Sequence, residues 1–189
     1  MKKLNSLVEK LSKPRVILTY FGAFLLVLIL TNVVLKPSFT YLTQTFNYSP
    51  KSAYDLLSTI GEEGRKTHLQ VFITDVIMVV LYTMFLVGAN YATFNKWVKK
   101  CTLISIITFL PVILASVQIL EIVGLIGLIT HYPSELLALA KVTNILTILK
   151  YALTTICFLL PIIGLSVTII LKINKKVIKG HKNEKQSAN

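Results

Sequence analysis

The chain has 189 residues, of which 54% are hydrophobic and only 15% charged, with a mean hydropathy of +0.70. The charged share is far below the quarter usual in soluble domains, which argues against an ordinary soluble fold. The net charge of +12 could signal nucleic acid, but the basic residues collect at the ends of apolar runs, so topology explains them and nucleic acid is not an expected partner.

The first segment, 1–15, is basic and amphipathic. Leu4, Leu7, Val8 and Leu11 share one helical face and Lys3, Lys10 and Lys13 take the rest, which suits a helix lying on a cytoplasmic membrane surface. Four apolar runs follow at about 16–35, 69–93, 102–130 and 145–171, each long enough for the ~20 residues that cross a bilayer. The first follows Lys2 and Lys3 like a signal peptide, but it is longer than an h-region and no A-x-A-like site follows, so it reads as a retained span.

The loop between the first two spans carries its own element. Ser49-Pro50 reads as a helix cap with proline at the first position. Ala53, Leu56, Leu57 and Ile60 then form an amphipathic stripe, and Gly61 supplies the left-handed stop. This helix, at about 50–60, is either a surface helix anchored in headgroups or a lid over a site. In the second case Tyr54, Glu62, Glu63 and Arg65 are its candidate residues.

Spans two to four each contain one ionisable residue: Asp75, Glu121 and Lys150. A charge in hydrocarbon is costly, so it faces a bundle interior or a wet cavity and has a partner. At 1.5 Å per residue Asp75 lies ~9 Å, Glu121 ~13 Å and Lys150 ~8 Å from the same side of the membrane. Gln70, Thr74, Gln118, Thr147 and Thr154 share that level, with Gln118 one turn from Glu121 and the two threonines flanking Lys150. The sequence thus predicts a single polar site, with Asp75, Glu121, Lys150, Gln118, Thr74, Gln70 and Thr154 as candidate ligand-binding residues.

Pro111 and Pro161 can kink their helices, while Gly124, Gly127 and Gly164 permit close backbone approach. Tyr20, Tyr82, Tyr91, Trp97 and Tyr151 lie mostly near span ends, as interfacial aromatics do. Cys101 and Cys157 form no C-x-x-C pair and read as small apolar fillers. His68, His131 and His181 lack zinc spacing, so no metal or cofactor is expected. The tail 172–189 is basic, and the part after Gly180 is expected to be disordered.

Five basic residues lie in 1–15, three in 95–100 and six in 172–185, against four in 36–66 and two in 141–150. The positive-inside rule therefore puts both termini and the 95–100 link in the cytoplasm. The fold expected is all-α, a polytopic membrane four-helix bundle at 16–171 with a short amphipathic helix in the first outer loop. The site reads best as binding a small ligand or lipid headgroup. A small proton- or cation-coupled transporter working as an oligomer, an intramembrane lipid-modifying enzyme and a structural or accessory membrane subunit with a purely structural charge cluster are the alternatives. No nucleophile elbow, H-E-x-x-H, P-loop or dinucleotide fingerprint supports catalysis. Expected partners are membrane lipids, the small-molecule or lipid ligand, and a second copy or another membrane protein.

The pattern Tyr48-Ser49-Pro50-x-x-Ala53-Tyr54-x-x-Leu57-x-x-x-Gly61-x-x-Gly64-Arg65, followed by a span with an early Asp, resembles a group of uncharacterised small bacterial four-span integral membrane proteins. The likeness covers about residues 45–155. Glu121 and Lys150 match an acid in span three and a lysine early in span four of that group, whereas Ile122 stands where the group often has Asn. The resemblance implies that the polar site matters and implies no activity. In span number and basic tail alone, the plan is also similar to the sterol-isomerase and sigma-2-receptor type.

Overall fold

The computed structural model describes residues 2–34, 45–96, 98 and 101–187. The described chain is all-α, with six helices and no strand among the described residues: α1 (Lys2–Leu11), α2 (Pro14–Val34), α3 (Pro50–Thr59), α4 (Gly61–Phe94), α5 (Cys101–Thr130) and α6 (Leu137–Ser187). Four of them, within Pro14–Val33, Gly61–Phe94, Thr102–Thr130 and Leu137–Ile173, are long and apolar enough to cross a membrane, as in a multi-pass membrane protein. Trp97 and the loop residues 36–44 lie outside the described residues.

The four long helices form a bundle with α4 at its centre, packed against α2, α5 and α6, while α5 and α6 pack against each other. Leucine, isoleucine and valine cover the outward faces, for example Leu26, Ile73, Ile106 and Ile162. Hydroxyls on those faces are satisfied within their own helix: Ser116 Oγ donates to Val112 O, Thr155 Oγ1 to Tyr151 O and Ser166 Oγ to Ile162 O. That back-bonding is what a hydroxyl in hydrocarbon requires.

Both α4 and α6 begin eight residues earlier than the apolar runs at 69 and 145 predict, adding ~12 Å to each helix. Hydropathy marks where a span begins, but nothing in 61–68 or 137–144 breaks a helix, and Glu62 and Glu63 favour the positive end of the α4 dipole. The tail departs from expectation as well. Instead of disorder after Gly180, α6 continues to Ser187. A lone glycine costs a helix only about 1 kcal/mol, and the flanking lysine, glutamate and glutamine are good helix formers. Both α5 and α6 continue through Pro111 and Pro161.

At one end of the bundle, α3 lies across α4 and α6. Ser49 Oγ accepts from Ser52 N at 3.0 Å with Pro50 at the first position, and Gly61 follows at φ +66°, both as the spacing predicts. Ala53, Tyr54 and Leu57 bury into a core with Phe72, Leu125 and Leu128. At the opposite end α1 is not a free surface helix: Val8 and Leu11 pack on Val87 of α4, and Leu7 alone of the visible stripe stays half exposed. Gly88 makes this possible, because a Cβ there would strike the Leu11 backbone. Tyr82 is likewise not interfacial. It sits in the middle core with Val79, Leu86, Leu114 and Cys157.

Candidate functional site

On α5 the buried positions Glu121, Ile122, Leu125 and Leu128 follow helical spacing and face α6. On α6 the matching stripe is small or polar: Ala140, Thr143, Thr147, Lys150 and Cys157 are all buried. The helices come close because Gly124 lies against Thr143, leaving no room for a Cβ there, and Gly127 lies against the end of the Leu139 side chain. This close approach brings the charged side chains into direct contact.

Lys150 Nζ donates to Glu121 Oε1 at 2.8 Å, and Thr147 Oγ1 donates to the same oxygen at 2.7 Å. Glu121 is 0% exposed and Lys150 8%. The other carboxylate oxygen, Oε2, is buried and has no hydrogen-bond partner among the described residues. The ammonium also stands 5.0 Å from the centre of the Tyr151 ring, in cation–π range, and Phe46 packs edge-on against that ring at 5.6 Å.

Asp75 on α4 is half-buried and interacts electrostatically with both partners, attracted by Lys150 and repelled by Glu121. Gln118, one turn from Glu121, accepts from Tyr82 Oη at 2.8 Å, tying α4 to α5 below the charges. Thr154 is half-buried one turn along α6 from Lys150. Thr74 turns its hydroxyl back to Val71 O at 2.7 Å, and Gln70 stands exposed. The structure therefore gathers Glu121, Lys150 and Thr147, sets Asp75 within their field and Gln118 beside them, and leaves Gln70 and the Thr74 hydroxyl apart.

Tyr48, which spacing arguments passed over, closes the site from the α3 side. It is 4% exposed, and its hydroxyl lies beside that of Thr147 without meeting hydrogen-bond geometry. Burial pushes its phenol up to about 12; the Thr147 hydroxyl works against this and the Glu121 charge adds to it. Tyr48 N donates to Asn144 Oδ1 at 3.0 Å, and Asn144 Nδ2 reaches Asn47 Oδ1 at 3.4 Å. Asn47 takes the left-handed conformation at φ 53°, which asparagine tolerates better than most residues.

The remaining loop residues fasten α3 to its neighbours. Leu136 N donates to Tyr54 Oη at 2.5 Å. Arg65 Nη1 donates to Leu57 O at 2.8 Å, and its guanidinium stacks on Tyr132 at 4.1 Å. Glu62 pairs with Lys66 at 2.7 Å on the exposed surface, and Glu63 is also exposed. Tyr54 and Arg65 thus hold α3 in place, while Glu62 and Glu63 lie exposed in the first turn of α4.

His68 is buried against Phe72 with ring centres 5.0 Å apart, whereas His131 is exposed with Nδ1 2.9 Å from Gly127 O. Among the described residues no three His, Cys, Asp or Glu side chains gather to hold a metal ion. Chemically, the cluster offers two carboxylates and one ammonium in a low-dielectric setting, which suits holding a proton or a cationic group. No protein-family model, curated protein or solved structure matches the chain.

Proposed function

We propose that the chain is a bacterial plasma-membrane protein that binds a small ligand or lipid headgroup through its cationic group, at Asp75 and Glu121 in the outer half of the bundle. The orientation rests on the basic residues of 1–15, 95–100 and 172–185 facing the cytoplasm. The bacterial source rests on a composition rich in lysine, isoleucine and asparagine.

The observation that carries the binding reading is Glu121 Oε2, fully buried and without a hydrogen-bond partner among the described residues, while Oε1 takes both Lys150 and Thr147. A buried carboxylate oxygen without a donor is costly. Asp75 adds a second carboxylate that interacts electrostatically with the same ammonium. With both acids ionised the trio carries one net negative charge, which attracts a proton or a small cation such as an amine. The α3 cover with Tyr48 shields this charge from the α3 end.

A structural role is the second reading, favoured by the geometry of the Lys150–Glu121–Thr147 contacts, which fix the register of α5 on α6. Native mass spectrometry of the detergent-purified chain beside Asp75→Asn and Glu121→Gln separates the two. A discrete adduct on wild type that both variants lose is the expected result and gives the ligand's mass. Bare protein in all three, with the variants only less stable, would overturn the binding reading in favour of the structural one.

A further inference from the structure

At the α1 end, well away from the charge cluster, a groove of about 770 Å³ opens between α2 and α6. Its walls are apolar, formed chiefly by Ile17, Phe21, Phe85, Phe158, Ile162 and Leu165. From Phe85 to Asn95 its floor runs ~15 Å along α4, which is half of a ~30 Å hydrocarbon layer and so the depth of one leaflet. Beyond Phe21 the groove is closed where Phe24 meets Phe158, ring centres 6.3 Å apart. At the other end it finishes at two exposed polar residues, Asn95 and Lys96.

The charge around that mouth is predominantly basic. Ser12 and Pro14 line the groove, and the adjoining Lys10, Lys13 and Arg15 are all exposed. Residues 1–15 hold five basic residues and one acid, Glu9. A slot one leaflet deep, apolar along its length and cationic at its mouth, matches a molecule with a hydrocarbon tail and an anionic head. We propose that this groove holds an acyl chain of one anionic phospholipid from the leaflet at the α1 end, with the phosphate at Lys96 and Asn95. The tail supplies fit, and the lysine supplies the preference for an anionic over a zwitterionic head. No residue of this groove belongs to the Glu121 site, so the two proposals stand or fall separately.

The test adds phosphatidylglycerol or phosphatidylcholine of identical chains to the delipidated full-length protein and counts retained lipid by native mass spectrometry. Wild type should keep one phosphatidylglycerol per chain, about fivefold over phosphatidylcholine, the worth of one lysine at an anionic surface. Lys96→Gln should erase that preference and Lys96→Arg should keep it. Ala92→Phe, which fills the groove, should lose both lipids. Equal retention of the two lipids by wild type, or a preference that survives in Lys96→Gln, would overturn the proposal. Dimers in place of lipid adducts would assign the groove to a second copy and overturn it too. Should Ala92→Phe fail to fold, the exposed Lys96 variants still decide the matter.

Discussion

Lys150→Met tests whether the ion pair is buried in hydrocarbon. The substitution keeps the unbranched stem out to Cε and removes the ammonium that donates to Glu121 Oε1 at 2.8 Å. Glu121, at 0% exposure, is then left with Thr147 Oγ1 as its one protein donor among the bonds described, and its repulsion of Asp75 is no longer offset by the Lys150 charge. Breaking a buried pair from one side costs about 3–5 kcal/mol, which for a chain of this length lowers the melting midpoint by about 6–20 °C. The double variant Lys150→Met/Glu121→Leu removes both charges and should recover to within about 1–2 kcal/mol of wild type, because replacing a whole buried pair by apolar groups is close to neutral. Thr147 is not orphaned in that variant, since its hydroxyl also reaches Thr143 O at 3.0 Å. The assay is reversible unfolding in mixed detergent followed by circular dichroism on the two single variants and the double. A Lys150→Met midpoint within about 2 °C of wild type, or costs that simply add in the double variant, would refute the reasoning. Either result would mean that the lysine head escapes to the interface and the pair carries little energy.

Three further perturbations address the surrounding framework. Gly124→Ala places a Cβ on Thr143, whose hydroxyl is fixed to Leu139 O at 2.8 Å; the expected loss is about 1–3 kcal/mol, and Gly124→Ala/Thr143→Ala should regain most of it in the same melting assay. Arg65→Met removes the bond to Leu57 O and the stack on Tyr132, so hydrogen exchange at the amides of α3 should accelerate about tenfold or more, while those of α5 stay unchanged. Tyr48 predicts an alkaline effect. The folded chain holds its phenolic proton up to about 12, against an ordinary value near 10. Because the folded state binds this proton more tightly, the contribution is whole below pH 10 and is lost as pH rises to 12, on the order of 3 kcal/mol at most. Tyr48→Phe should therefore flatten the fall of stability between pH 10 and 12, and an unchanged slope would contradict the burial of this phenol.

Much of the architecture was legible because hydrocarbon imposes simple rules. Length and apolarity alone locate four helices, and the Ser49-Pro50 cap with Gly61 brackets α3 to within a residue. Where the rules concern partners instead, the sequence is quiet. Nothing in the spacing around Tyr82 says that its hydroxyl will turn inward to Gln118 rather than reach an interface. Hydropathy could not see that α4 and α6 run past their apolar segments, since a helix does not stop where lipid does. Glu121 and Lys150 were readable as members of one polar site, being charges in apolar runs with Gln118 and two threonines at helical spacing, but which acid the lysine pairs with was not. The same spacing, extended, connects Thr143, Thr147 and Lys150, and with Gly124 it signals which faces meet. Tyr48 could not be found this way. It reaches the site from a loop, where no periodicity ties its position to that of Thr147, and only its place in the outer-loop pattern marked it.

Asp75 is the charge that a purely structural lock does not need, and the binding proposal turns on it. Registering α5 on α6 needs one acid and one base, and Glu121 with Lys150 supplies both on the two helices concerned. Asp75 sits on α4, which is already held to α5 through Tyr82 and Gln118 and by the apolar contacts of Phe72 and Val79 with their core neighbours. It adds desolvation of a second carboxylate and repulsion from Glu121, offset only in part by its attraction to Lys150. A purely structural cluster would gain little from a charge on those terms, because a neutral side chain of the same size would pack as well without the repulsion. The excess of one carboxylate over the available ammonium is instead what a site needs if it is to remain attractive to a cation after its own lysine has been paired. The half-burial of Asp75, against the full burial of Glu121, gives it the exposure through which such a group would first make contact.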